Sequence, residues 1–178
     1  MKKLVKKKHS KIGILGGTFD PPHIGHLHIS IIALKKLKLD TLIWMIVKQN
    51  PLKQKPYLNS KTRIRLSKNI TKNQKKIFVR YIDDKIKSKN TFDLLNYFKK
   101  NNKKMKLFFI IGADNLINFH KWNKWKKIPE LAKIVVFARP NYSIKALNSI
   151  ASKKLKKKDW VYINSKKMNI SSSLIRKF

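Results

Sequence analysis

Ile12-Gly13-Ile14-Leu15-Gly16-Gly17-Thr18-Phe19-Asp20-Pro21-Pro22-His23-Ile24-Gly25-His26 is the stretch from which the fold is read. Ile12 to Leu15 is a short apolar run ending in Gly16-Gly17, after which Ile24, Leu27, Ile31 and Leu34 recur at helical spacing. The order is strand, glycine turn, helix. Two glycines let the main chain approach a phosphate closely, and the following helix points its free N–H groups and positive dipole end at the same spot. His23 and His26 are three residues apart, a spacing that puts them on one face of the first helical turn, and Gly25 between them leaves room for a base or ribose. Two imidazoles aimed at one point make a phosphate clamp. A Gly-Gly pair alone reads as an ordinary tight turn, and a lone histidine as a satisfied surface or core residue. A metal site on the two histidines has only Asp20 as a carboxylate at ligand spacing.

Outward from this stretch, apolar runs alternate with amphipathic segments. Thr41 to Val47 suits a strand buried on both faces, and Ser60 could cap a helix over Lys61 to Ile70. Ile77 to Ile82 reads as a third strand, Phe92, Leu95 and Phe98 mark a helix, and Leu107 to Ile111 is a strand ending at Gly112. Asn115 to Ile128 reads as a helical pair, Ile134 to Ala138 as a strand, Lys145 to Lys158 as a lysine-rich connection, and Trp160 to Ile163 as the last strand. Alternating β and α elements predict an α/β fold: a doubly wound, mostly parallel, Rossmann-like sheet in a single domain spanning 1–178, with a basic N-terminal extension at about 1–10.

Composition sets the bounds. The chain has 178 residues and no cysteine, which excludes a disulfide framework and a Cys-ligated zinc site. Its 42% hydrophobic content suffices for one core. The longest strongly apolar stretch, Thr41 to Val47, is far below the roughly 20 residues of a membrane-crossing helix, and the basic N-terminus lacks an apolar signal core. A cytoplasmic protein without a membrane partner is expected. The formal charge of +36 attracts polyanions. Yet only five of the 44 basic residues are arginine, the preferred reader of bases and phosphates. The lysines are spread over the whole chain, so the excess reads either as a solvated surface produced by compositional drift or as a selected polyanion site.

The string Gly-Gly-Thr-Phe-Asp-Pro-Pro-His-x-Gly-His resembles the signature of bacterial nicotinate-nucleotide adenylyltransferases, members of the HxGH nucleotidyltransferase superfamily. Asn50-Pro51-Leu52-Lys53, Thr91-Phe92-Asp93-Leu94-Leu95, Phe109 to Leu116, Phe119-His120-Lys121-Trp122, Arg139-Pro140 and Ile170 to Arg176 agree with it. The resemblance covers about Lys11 to Arg176. It implies that the phosphate of nicotinate mononucleotide attacks the α-phosphorus of ATP, giving deamido-NAD and pyrophosphate. Such a nucleophile is already ionised near pH 7, its second pKa being about 6, and needs no general base. That suits a chain with a single glutamate, Glu130.

The resemblance also divides the residues by role. His23 and His26 contact the ATP phosphates, Gly16 and Gly17 supply close main-chain approach, and Thr18 and Phe19 flank the site beside Gly25. Ser171 and Ser172 cap a final helix facing the β,γ-phosphates, and Arg176 adds a permanent cation. Asp114, after Gly112, takes the ribose hydroxyls. Trp122 offers a face to the pyridine ring, Thr91 a donor to its carboxylate, and Lys53 a phosphate contact. Mg²⁺ is expected to be held mainly by substrate phosphates, with no protein metal ligands. The rivals are adenylyl transfer to nicotinamide mononucleotide or phosphopantetheine, and a non-enzymatic basic RNA-binding protein. The last explains the charge but not the ordered turn, and a specific nucleic-acid partner is not expected. The literal His-Ile-Gly-His of class I aminoacyl-tRNA synthetases belongs to proteins too large for this chain.

Overall fold

Thr41–Ile46 has no exposed residue. Leu42, Trp44 and Ile46 join one apolar cluster and Ile43 and Met45 another, so this strand requires cover on both faces. The structure is a computed structural model and describes residues 10–49, 54–81, 86, 88, 90–101, 104–164 and 172–176. Among these, six strands form one all-parallel sheet: β1 (Lys11–Gly17), β2 (Thr41–Ile46), β3 (Ile77–Tyr81), β4 (Lys106–Gly112), β5 (Lys133–Phe137) and β6 (Trp160–Ile163). Their order is β3-β2-β1-β4-β5-β6. The order reverses between β1 and β4, which opens a crevice beyond their carboxyl ends.

Helices α1 (Ile24–Lys36) and α2 (Ser60–Thr71) cover one face, through residues such as Ala33, Ile29 and Ile64. The other face is covered by α3 (Thr91–Asn101), α4 (Ala113–Ile117), α5 (Ile128–Leu131), α6 (Ser143–Leu147) and α7 (Ile150–Lys154), through Leu95, Phe98, Leu116, Ile128, Ala146 and Ala151. A last short helix, α8 (Ser172–Ile175), follows β6. The doubly wound α/β expectation holds. Among the described residues no helix is long and apolar enough to cross a membrane.

Four local expectations change. Gly16-Gly17 is the end of β1 rather than a turn, and neither glycine has positive φ. The left-handed residue of the turn is Phe19, at φ 50°, a conformation that costs a non-glycine residue energy and persists only where packing fixes it. Asn59, not Ser60, caps α2, its side chain accepting from Thr62 N at 2.9 Å. The expected helical pair over 115–128 is instead α4, two 3-10 turns at Phe119–Lys121 and Trp125–Lys127, and α5. Lys124, left-handed at φ 50°, and Pro129 at the start of α5 punctuate it. The lysine-rich connection contains α6 and α7: Ala146 and Ala151 are fully buried while most of the neighbouring lysines face water, and Ser149 caps α7. Lys53, Ser171 and the basic segment 1–9 lie outside the described residues.

Candidate active site

At the carboxyl ends of β1 and β4 lies a cleft of about 760 Å³, a size that suits a nucleotide-scale ligand. Gly16, Gly17, Thr18, Phe19, His23, Gly25 and His26 line it from the β1 side, and Thr91, Gly112, Asp114 and Trp122 from the β4 side, with Arg139, Ser172 and Arg176 at its margin. Every site residue expected from sequence that is described therefore meets in one cavity.

His23 is the N-cap of α1 and not part of its first turn, with extended φ −149° and ψ 169°. Its main-chain N–H donates to Nδ1 of His26 at 3.2 Å, while His26 N donates to His23 O at 3.0 Å. Because Nδ1 of His26 accepts, its ring proton sits on Nε2. The two rings lie 3.8 Å apart. Phe19 backs His26 at 4.7 Å and stacks on Trp44 at 4.9 Å. Phe19 is only 2% exposed, so while it lines the cleft it also forms the floor beneath the histidine. Ser30 completes the support, its hydroxyl donating to His26 O and accepting from Trp44 Nε1.

Burial, and after it the charge of Arg139, lowers the pKa of His23 from 6.5 to about 4. The imidazole is neutral at pH 7 and works as a hydrogen-bonding group rather than a cation. As pH falls from about 6.5 to about 4, the unfolded chain takes up a proton that the folded chain refuses. The stability tied to the neutral ring is thus complete above this window and lost across it. Urea unfolding from pH 4 to 8 should show the wild type losing stability, relative to His23→Asn, as pH drops through the window. Parallel curves for the two proteins would contradict that linkage.

On the far side, Asp114 accepts from Arg139 Nη1 in a 2.7 Å ion pair, and the Arg139 guanidinium lies 5.8 Å over the Tyr142 ring. A Cβ at Gly112 would stand 2.5 Å from Asp114 Oδ1, so a side chain there would displace the Asp114 carboxylate. Trp122 presents its ring to the cleft, held edge-on to Phe109 at 6.0 Å and tilted on Phe119 at 5.1 Å. Thr91 opens the eleven-residue α3, whose N-terminus favours an anion.

Residues 172–176 are tied to the first turn. Ser172 is the first residue of α8, and its hydroxyl donates to Pro21 O at 2.7 Å rather than capping the helix. Arg176 donates to Asp20 O and pairs with the Asp20 carboxylate at 3.5 Å. Asp20 in turn accepts from the main-chain N–H groups of Tyr57 and Leu58, both at 2.8 Å. Asp20 is a clasp for loops, which removes it as a ligand for a metal on the two histidines.

The chain matches the cytidylyltransferase-like family model over residues 14–178. It is 48% identical over 173 residues to a Pelagibacter ubique protein named "probable nicotinate-nucleotide adenylyltransferase", covering 97% of this chain and 96% of that one. A Bradyrhizobium protein of the same name is 32% identical over 93% of this chain and 95% of its own length. The chain belongs to the nicotinate-nucleotide adenylyltransferase family. It is an enzyme, a nucleotidyltransferase. A solved Plasmodium falciparum nicotinic acid mononucleotide adenylyltransferase complexed with NaAD shares the fold of this adenylyltransferase. Its TM-score is 0.77 at 23% identity, over 96% of this chain and 84% of that one.

Several residues of this adenylyltransferase site carry no role in the sequence reading. Arg139 and Lys121 line the cleft but stand in the sequence only as parts of quoted motifs. Arg63 and Trp44 support it from behind. The scarcity of arginine was the available signal, since Arg63, Arg139 and Arg176 are three of only five.

Proposed function

We propose that this cleft transfers the adenylyl group of ATP to the phosphate of nicotinate mononucleotide, releasing pyrophosphate and forming deamido-NAD for NAD biosynthesis in the cytoplasm. The observation that carries this reading is a single cleft with hydrogen-bond donors from His23 and His26 on one side and an aromatic wall of Trp122 and Phe109 on the other. An oxygen of the acceptor phosphate bonds to the α-phosphorus as the bond from that phosphorus to the bridging oxygen of pyrophosphate breaks. No proton has to be removed from the nucleophile. What remains for the protein is alignment and stabilisation of charge on the transferring and departing oxygens. In this reading the Nε2–H of His26 and the neutral His23 ring donate to the phosphates, Arg176 meets the departing pyrophosphate, and Asp114 takes the ribose.

Mg²⁺ is expected to enter with ATP, held by its phosphates and water. Among the described residues Asp114 is the only carboxylate lining the cleft, and Arg139 is ion-paired with it. When bound, the metal neutralises charge on the phosphates. The lysine excess is read as solvated surface, so binding to RNA should be weak, salt-dependent and sequence-blind.

The acceptor side favours an acid over an amide. The Thr91 hydroxyl and the N-terminus of α3 are donors, which suit both oxygens of a carboxylate but oppose the NH₂ of an amide. An unpaired buried contact of this kind costs about 1 to 3 kcal/mol. Pyrophosphate release measured with nicotinate mononucleotide, nicotinamide mononucleotide and phosphopantetheine tests the assignment. The kcat/KM for the nicotinate form should exceed that for the nicotinamide form by roughly tenfold or more. Equal values would make the enzyme dual-specific, and a preference for phosphopantetheine would refute the assignment.

A further inference from the structure

Arg63, on α2, is 2% exposed, yet its guanidinium reaches four main-chain carbonyls from three separate segments. Nη1 donates to Thr18 O at 2.5 Å and to Val47 O at 2.8 Å, Nη2 donates to Lys48 O at 3.1 Å, and Nε donates to Leu58 O at 3.0 Å. Thr18 follows the glycine pair, Val47 and Lys48 follow β2, and Leu58 precedes α2. Thr18, Val47 and Gln49, the residue after Lys48, all line the cleft. The Asp20 carboxylate grips the same junction from the other side, through Tyr57 N and Leu58 N. Only a planar fork with five donors can serve four carbonyls at once; a lysine has three donors on one rotating point.

We propose that Arg63 is a positioning residue for the transfer step. Its guanidinium locks the turn that meets the ATP phosphates to the segment after β2, so that the two are built in one relative placement. The residue touches no substrate; it sets the distance and angle between acceptor phosphate and α-phosphorus, not the affinity for either substrate. A displacement of about 1 Å between reacting groups costs on the order of 10²-fold in rate, so loosening this lock should appear in kcat. The proposal rests on the adenylyl-transfer reading of the cleft. Absence of transfer by the wild type with every acceptor would overturn that reading, whereas normal transfer by an Arg63 variant overturns this proposal alone.

The experiment compares wild type, Arg63→Lys and Arg63→Gln as full-length proteins, each assayed well below its own melting temperature. ATP affinity is measured by calorimetry in the absence of acceptor. The expected result is a kcat lowered about tenfold or more, with ATP affinity and the KM for nicotinate mononucleotide each within about threefold of wild type. A purely structural role would instead lower the folded fraction and leave the kcat of folded molecules unchanged. The proposal is overturned if a folded variant keeps kcat within about twofold of wild type, or if its loss of rate is matched by equal loss of substrate binding. If Arg63→Lys does not fold, Arg63→Gln, whose amide can still donate to some of these carbonyls, decides the matter. Failure of both to fold would assign Arg63 to the fold alone and also overturn it.

Discussion

His26→Ala should lower kcat by roughly 10² to 10³ while the protein stays folded. The imidazole is held on three sides: Nδ1 accepts from His23 N, Phe19 lies against the ring, and Trp44 stands edge-on at 5.8 Å. Its Nε2–H is therefore aimed before substrate arrives and needs no reorganisation as charge builds on the transferring phosphoryl group. Donors of this kind are worth about 3 to 4 kcal/mol in the transition state. The structural loss is smaller, since the contact from His26 to His23 N is a reciprocal cap of a type worth about 1 kcal/mol. The discriminating measurement is kcat beside a melting curve. A folded variant with kcat within a factor of about three would mean that His26 serves the helix and not the phosphates.

Trp44→Ala carries the largest expected cost in stability. The side chain is fully buried in β2, stacks on Phe19 and donates from Nε1 to Ser30 Oγ at 2.8 Å. Truncating a buried aromatic to alanine costs about 3 to 5 kcal/mol, which for a chain of this length lowers Tm by roughly 10 °C or more. Activity should fall further than the folded fraction does, because the floor beneath Phe19 and His26 is removed with it. Trp44→Phe keeps a ring against Phe19 but loses the hydrogen bond, about 1 kcal/mol, and leaves a small cavity, so its cost should fall between wild type and Trp44→Ala. Equal melting temperatures for wild type and Trp44→Ala would show that the packing around Phe19 is not what holds the turn.

The strands were legible because a strand buried on both faces has to be a continuous apolar run, and Ile12 to Leu15, Thr41 to Val47 and Ile134 to Ala138 are such runs. The glycine, histidine and proline string was legible for the same kind of reason, since residue types with strong local preferences stood together. Residues 113–131 and 143–154 were less so. Their helices are a turn or two long, too short to display a period, and their positions follow from packing against β4 and β5. Phe19 gave no sign of its left-handed backbone, because nothing in a phenylalanine side chain prefers it. Arg63 was hidden most completely: its partners are main-chain carbonyls, which every residue has, and their convergence exists only once three distant segments are folded together.

The central pairing of β1 with β4 brings Ile12 beside Leu107, and this fixes an order of events during synthesis. While the first three strands are complete and the fourth is still being made, β1 is the open edge of a half-sheet, lined by Ile12 and Ile14 and ending at the turn that lines the cleft. An apolar edge of this kind is a template for pairing with another chain. Pairing across so long a separation is also slow, because the loop must close before the contact rewards it. The β1 edge is thus unpaired until β4 is made, and no fragment ending before β4 contains the Gly112, Asp114 and Trp122 side of the cleft. Incomplete chains would meet one another as polycations, whose mutual repulsion opposes that edge pairing until β4 arrives.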